Sequence, residues 1–510
     1  MKKIWLLLVL QLLVFSGCTV AEKEPNAAEK ILSDPRVRVM NSALLSLMEN
    51  DPVKKAGLIL EMFEADISSA DIASTNELQR ALNRCPDKAF IHSAADRIVT
   101  LLEKNPDSRI LAAAWIAVAQ THGFAPEKIC KVLLLVLRQK QDDSEVFRVI
   151  SGAYTTAALL LPQVPETLPF EVRDFFSGHF QLHYYANLVF RSYFTGKYPF
   201  AEKSLQTALA KMEPLCSGDE RSFSDFIAAL LQLKLSKEAD AAIKRHPEVA
   251  SLGVLLETAS CCGKVDEVER LLRSYPAIPG ELRVQLRWKA GMQAKKYDYL
   301  ENMIQSISDP GKKLLYDYQL AVVRRDTARQ RQMLRSFMDN GSFDRAVIAV
   351  GFLNLAQQSG SLEDYRLGKK LYSDQLTQKP GAANTAGYIS CVLDQDLEEA
   401  EKLLAFALSA EPENFAFLDS FAWIRFRRGD VAGAKKALDR AMQNIMINGS
   451  SAVLLDHAGD VAMAENDRKK ALFYYRNALI VYEKYEDFLS EFDRSAVEQK
   501  IRALEQEKKQ

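Results

Sequence analysis

A recurrence of small residues near the carboxyl end constrains this chain more than any other feature. Ala400, Leu404 and Ala407 are followed by Ala434, Leu438 and Ala441, and then by Ala471, Tyr475 and Ala478. Within each set the spacing is four then three. That spacing puts three residues on one helical face, where small side chains let a second helix approach closely. The sets begin 34 and 37 residues apart, with the extra three in Asn448-Gly449-Ser450-Ser451. A further helical pattern and a break precede the later sets: Leu418, Phe421 and Ala422 before Gly429-Asp430, and Leu455, Ala458 and Gly459 before Asn466-Asp467. Such a period predicts units of two short helices stacked in a row.

Composition agrees with an all-α chain. Gly 22 and Pro 17 of 510 residues fall below the usual shares of about 7% and 5%, too few for a β-sandwich or a glycine-rich nucleotide fold. Lys+Arg 66 against Asp+Glu 67 leaves a formal charge of -1, which removes any charge-based case for nucleic acid. With 48% hydrophobic and 26% charged residues, global disorder is also excluded.

The three sets, with Pro412 after the first, resemble the tetratricopeptide repeat, a 34-residue helix-turn-helix unit, and the likeness is close over residues 381–485. It departs in places. Gly387 to Ala400 is one residue longer than the repeat expects, and Arg425 and Ala462 replace the aromatic usual in the first helix. Upstream the pattern is worn: Gly196, Ala201, Leu205, Ala208 and Pro214 fit one unit, with Tyr185, Leu188 and Val189 in its first helix. Ala239 and Ile243, then Val268 and Leu272, then Leu300 and Ile304, and Gly368 with Tyr372 mark others, so residues 176–380 are expected to be degenerate repeats. A helical region without period spans 34–161, broken at Pro52, Pro86, Pro106 and Pro126. The segment 162–175, with Pro162, Pro165 and Pro169, is the best internal boundary, and 486–510 reads as a polar-backed capping helix.

The amino terminus reads as an address. Lys2 and Lys3 precede the apolar run from Ile4 to Phe15, broken only by Gln11. Twelve residues reach about 18 Å, short of the roughly 30 Å hydrocarbon core, so 1–17 is expected to be a cleaved signal. Ser16-Gly17-Cys18 resembles the lipobox of bacterial lipoproteins, with Phe15 where Leu is usual. The resemblance implies a lipid anchor, with palmitate among its acyl chains, on Cys18 and a polar tether over 18–33. Thr19 in place of Asp implies sorting to an outer membrane, facing the periplasm. Without residues 1–17 the chain loses two lysines and no acid, leaving a formal charge of about -3 at neutral pH.

Catalytic patterns are weak. His179 and His183 are four apart, but six histidines supply no third ligand for zinc. Adjacent Cys261-Cys262 cannot form a relaxed disulfide together, and Cys-x-x-Cys, Walker and Gly-x-Ser-x-Gly patterns do not occur. No catalytic residue, metal or cofactor is therefore assigned. What the repeat resemblance implies is a concave protein-binding groove. Its groove positions fall on Asn384 and Tyr388, on Asp419, Trp423, Phe426 and Arg427, and on Asp456, Asp460 and Met463. Aromatic residues and Arg dominate binding hot spots, whereas Asp456 and Asp460 stand where the family's C-terminal-carboxylate clamp would be, which disfavours that ligand. The expected function is a non-enzymatic, lipid-anchored scaffold joining envelope proteins, held to the membrane at Cys18. A regulator or accessory subunit of an envelope enzyme or export machine is the first alternative. An enzyme or glycan-binding protein using 34–161, or clefts at Trp115 or Trp288, is the second.

Overall fold

The computed structural model describes residues 49–66, 72–105, 108–137, 175–341, 343–445, 452–485 and 492–507, with isolated positions in 39–47 and 150–168. The expected signal and tether, with Cys18, lie outside the described residues. Every regular element among the described residues is a helix. The chain divides into two compact units, 1–161 and 162–510.

The first unit contains α1 (Pro52–Ala65), α2 (Ile72–Arg84), α3 (Lys88–Lys104), α4 (Arg109–Thr121) and α5 (Pro126–Leu137). Pro52 and Pro126 open helices, where their missing N–H is one the helix leaves unpaired anyway. Asp51 and Asp87 accept hydrogen bonds from the first-turn amides of α1 and α3, which is how an N-cap fixes a helix start. Phe63, Leu102, Trp115 and Leu133 are wholly buried. Trp115 therefore has no ring face for a sugar. Trp288, in the second unit, is 9% exposed and packs on Tyr316 at 4.9 Å. Both tryptophans filled cores because apolar burial outweighs the single polar N–H, and neither supports the glycan-cleft alternative.

Among the described residues of the second unit, nineteen α-helices form nine consecutive pairs and a cap. The pairs are α6 (Phe175–Thr195) with α7 (Ala201–Cys216), α8 (Glu220–Gln232) with α9 (Ser236–Arg245), α10 (Leu252–Cys261) with α11 (Val265–Ser274), and α12 (Gly280–Gln293) with α13 (Tyr297–Gln305). They continue with α14 (Pro310–Val323) and α15 (Thr327–Asn340), α16 (Arg345–Ser359) and α17 (Leu362–Tyr372), α18 (Pro380–Val392) and α19 (Leu397–Ala410). Last come α20 (Phe415–Arg427) with α21 (Val431–Asn444), α22 (Ala452–Ala464) with α23 (Arg468–Tyr485), and the cap α24 (Arg494–Glu507). This is an α-solenoid of tetratricopeptide-like pairs. Pro214, which the pattern places at a unit's end, lies inside the last turn of α7.

One backbone device repeats through all nine pairs. A left-handed residue ends the turn after each first helix: Gly196, Lys234, Gly263, Lys295, Arg325, Gly360, Asp394, Gly429 and Asn466. The amide one residue later reaches back to close the helix in seven of these turns, as Lys264 N to Ala259 O at 2.9 Å and Asp430 N to Arg425 O at 2.9 Å do. This is the Schellman closure, which satisfies carbonyls that a helix end leaves open. In several turns an acid then caps the second helix, Asp326, Asp396 and Asp430 accepting first-turn amides. The extra residue between Gly387 and Ala400 is absorbed here: Asp394 and Asp396 are both left-handed.

Only four of the nine turns use glycine. Lysine or arginine in this conformation costs about 1 kcal/mol or more relative to glycine. We expect Lys295→Gly, at an exposed position with φ 54, to stabilise the chain by about 0.5–1 kcal/mol. Lys296→Gly, one residue on at φ -85, should destabilise it, and urea melts of the two variants check the contrast.

The small residues that set the period do what close approach requires. Ala400, Ala407, Ala434, Ala441, Ala471 and Ala478 are all fully buried. Between pairs the core continues, as where Leu334 and Phe337 meet Ile348, Phe352 and Leu355. The cap α24 packs on α23, with Arg476 bonded to Glu505 at 2.7 Å, and Phe492, just before the cap, lies 5.0 Å from Tyr482.

Candidate interaction face

The first helices of the last three pairs, α18, α20 and α22, bring most of the expected groove residues together around a residue the pattern had not marked, His457. Its side chain is buried and shares a 2.8 Å hydrogen bond between Nδ1 and Asp419 Oδ1. Trp423 stacks on the imidazole at 4.1 Å and 14°, and Phe426 stacks on Trp423 at 5.3 Å. Tyr388, two pairs away in sequence, comes within 6.0 Å of the same ring. First helices of pairs seven, eight and nine thus converge on one side chain.

Asp456 and Asp460 lie beside this cluster and hold Lys500 of the cap, its Nζ donating to them at 2.7 and 2.8 Å. Tyr475 donates its hydroxyl to Asp460 at 2.7 Å. Arg427 sits apart, at the turn, donating to Cys391 O at 3.2 Å and pairing with Asp394 at 3.2 Å. Met463 is half-buried near the end of α22. Asn384 Oδ1 and Trp423 Nε1 are buried with no hydrogen-bond partner among the described residues. Leaving a buried donor or acceptor unmatched costs about 1–3 kcal/mol, a cost that the packing of this face carries.

The electrostatics follow from burial and three carboxylates. Burial alone would lower the His457 pKa, but the charge and hydrogen bond of Asp419, with Asp456 and Asp460, outweigh it and raise the pKa. Protonation of His457 would set an imidazolium against Trp423, a favourable cation–π arrangement. Asp456 is itself raised, by burial first and by Asp460, against the pull of Lys500. Lys500 is raised because the two acids outweigh its burial.

Other chemistry-bearing residues take structural places. His179 and His183 lie with ring centroids 4.4 Å apart on α6, and no group of three metal-ligating residues occurs among the described residues. The six cysteines of the described residues are free. Burial pushes the thiols of Cys130, Cys216 and Cys391 up to about 12, which removes the thiolate needed for nucleophilic chemistry at neutral pH.

No family model matches the chain, and no curated protein matches it. Among solved structures, it is similar to a tetratricopeptide repeat protein from Parabacteroides merdae, with 13% identity and a TM-score of 0.37 over 49% of this chain and 92% of that one. It is also similar to yeast Tom70, at 10% identity and a TM-score of 0.34, over 93% of this chain and 96% of that one. A third similar structure is the APC/C hetero-tetramer Cut9–Hcn1, at 11% identity and a TM-score of 0.30, covering 92% and 93%. The architecture assigned above stands on the chain's own turns and packing.

Proposed function

We propose that this chain is a non-enzymatic scaffold that binds another protein through the first helices of its repeats, and that it is lipid-anchored at Cys18 in a bacterial envelope. The observation that carries the binding reading is the ninefold repetition of one helix pair. A row of equivalent first helices offers an extended surface, suited to a peptide or partner helix rather than to a small substrate. The aromatic row of Tyr388, Trp423 and Phe426 supports placing contact at the last three pairs. No helix among the described residues is long and apolar enough to cross a membrane. Membrane attachment in this reading comes from Ser16-Gly17-Cys18, and an outer membrane, periplasmic address from Thr19.

Two experiments test the two halves. In pull-downs from solubilised membranes, a Trp423→Ala, Phe426→Ala double variant is expected to lose the main partner at least tenfold, because hot-spot aromatics contribute about 2 kcal/mol or more each; unchanged capture sinks the placement. Cys18→Ser is expected to move the chain from membranes to the soluble fraction and to abolish palmitate labelling. Continued labelling would refute the anchor.

A further inference from the structure

Helix α6 of the first pair packs against α21 and α23 of the last two, with bonds between residues 252 to 291 apart in sequence. Where the turn after α6 meets α23, this contact leaves a cavity of about 330 Å³, within the size range of small-molecule sites. Two hydrogen bonds between the helices fix its walls. Asn477 Nδ2 of α23 donates to Tyr193 O of α6 at 2.8 Å, and Lys484 Nζ donates to the Tyr193 hydroxyl at 3.2 Å. Phe473 adds a half-buried ring beside Gly196.

The rim of the cavity is strained. Tyr198 has φ 65, a left-handed backbone that makes a bulky residue an outlier. Pro199 follows it, although a proline normally holds the residue before it extended. No other left-handed residue among the described residues precedes a proline. Strain of this kind persists only where the surroundings hold it, and it gathers at ligand sites. Here it sets the Tyr198 ring edge-on to Phe200 at 6.3 Å and against the cavity.

Three rings, those of Tyr193, Tyr198 and Phe473, thus share one cavity with the amide of Asn477 and the exposed charges of Lys197 and Glu202. One ammonium offset by one carboxylate does not suit a phosphate or another polyanion. So many polar groups do not suit a lipid tail. A neutral sugar ring fits both features, because its C–H faces lie on aromatic rings and its hydroxyls bond to amide, ammonium and carboxylate groups.

We propose that the cavity between the α6–α7 turn and α23 binds a neutral mono- or disaccharide, with Tyr198 as a stacking face and Lys197, Glu202 and Asn477 bonding its hydroxyls. The site shares no residue with the face of Tyr388, Trp423 and Phe426 and does not rest on the protein-binding reading. The full chain is tested on an array of mono- and disaccharides of glucose, galactose, mannose and their N-acetylamino forms, and a bound sugar is then titrated by saturation-transfer NMR. Tyr198→Gly removes the ring and the strain together. It should weaken sugar binding at least tenfold while the melting temperature in sugar-free buffer stays at or above that of the wild type, a combination that a merely structural role of Tyr198 does not give. Glu202→Ala, at an exposed position, should weaken binding at least tenfold with the helical circular dichroism retained. Trp423→Ala with Phe426→Ala should bind the sugar as the wild type does. Capture of no sugar by the wild type, or wild-type affinity in both Tyr198→Gly and Glu202→Ala, overturns the site. Binding of the zwitterion glycylglycine in place of every sugar overturns the ligand class.

Discussion

Asp419→Ala is expected to destabilise the C-terminal pairs by about 3 kcal/mol, the range for removing one partner of a buried ion pair. The substitution leaves His457 buried on α22 without the acid that holds its proton. The pH dependence follows in sign. Because the folded pKa of His457 lies above the ordinary imidazole value, its contribution is fully present below that ordinary value and is lost as pH rises through the raised one. The wild-type melting temperature relative to the variant should thus be largest near pH 6 and shrink toward alkaline pH. Taking this difference also cancels His122 of the first unit, whose pKa burial lowers and whose slope is opposite. Thermal melts of both chains across that range check it, and a difference that grows with pH contradicts the charged pair.

The second large effect is a change of sign. Gly→Ala inside a helix ordinarily gains about 1 kcal/mol, and Gly57→Ala should do so, since a Cβ there meets nothing within 4 Å. Gly459→Ala should instead lose about 2–3 kcal/mol, an overpacking cost. A Cβ at Gly459 falls into the ring of Tyr475. That ring is 1% exposed and tied by its hydroxyl to Asp460, so it has nowhere to turn. Gly387→Ala is the same case more mildly, with Leu404 Cγ at 2.8 Å and Ala400 O at 3.1 Å. Urea denaturation of the three variants decides the matter, and stabilisation by Gly459→Ala would mean that α22 and α23 are not so close.

These glycines and alanines explain what could be read from the residues beforehand. Close approach of two helices admits only small side chains, so Ala400, Ala434, Ala471 and Gly459 leave a regular mark in the sequence. The upstream pairs were harder because their turns are held by Lys234, Lys295 and Arg325, whose left-handed backbone has no compositional sign. The aromatic crowding of α6 was visible, but its burial depends on helices some 250 residues later, and pairing at that distance leaves no period. At the candidate site, repeat register placed Asp419, Trp423 and Tyr388 on one face. It did not show that the face curves tightly enough for three consecutive first helices to meet, which is what puts His457 at the centre and Asp456 and Asp460 against the cap.

The central claim is that the face formed by the first helices binds another protein. Photo-cross-linking in cells tests it most directly, with p-benzoylphenylalanine at Tyr388 on that face and, separately, at Lys402, which is exposed on α19. A discrete protein adduct from position 388 and none from 402 is the predicted result. An adduct from 402 alone, or from neither position, would contradict the account.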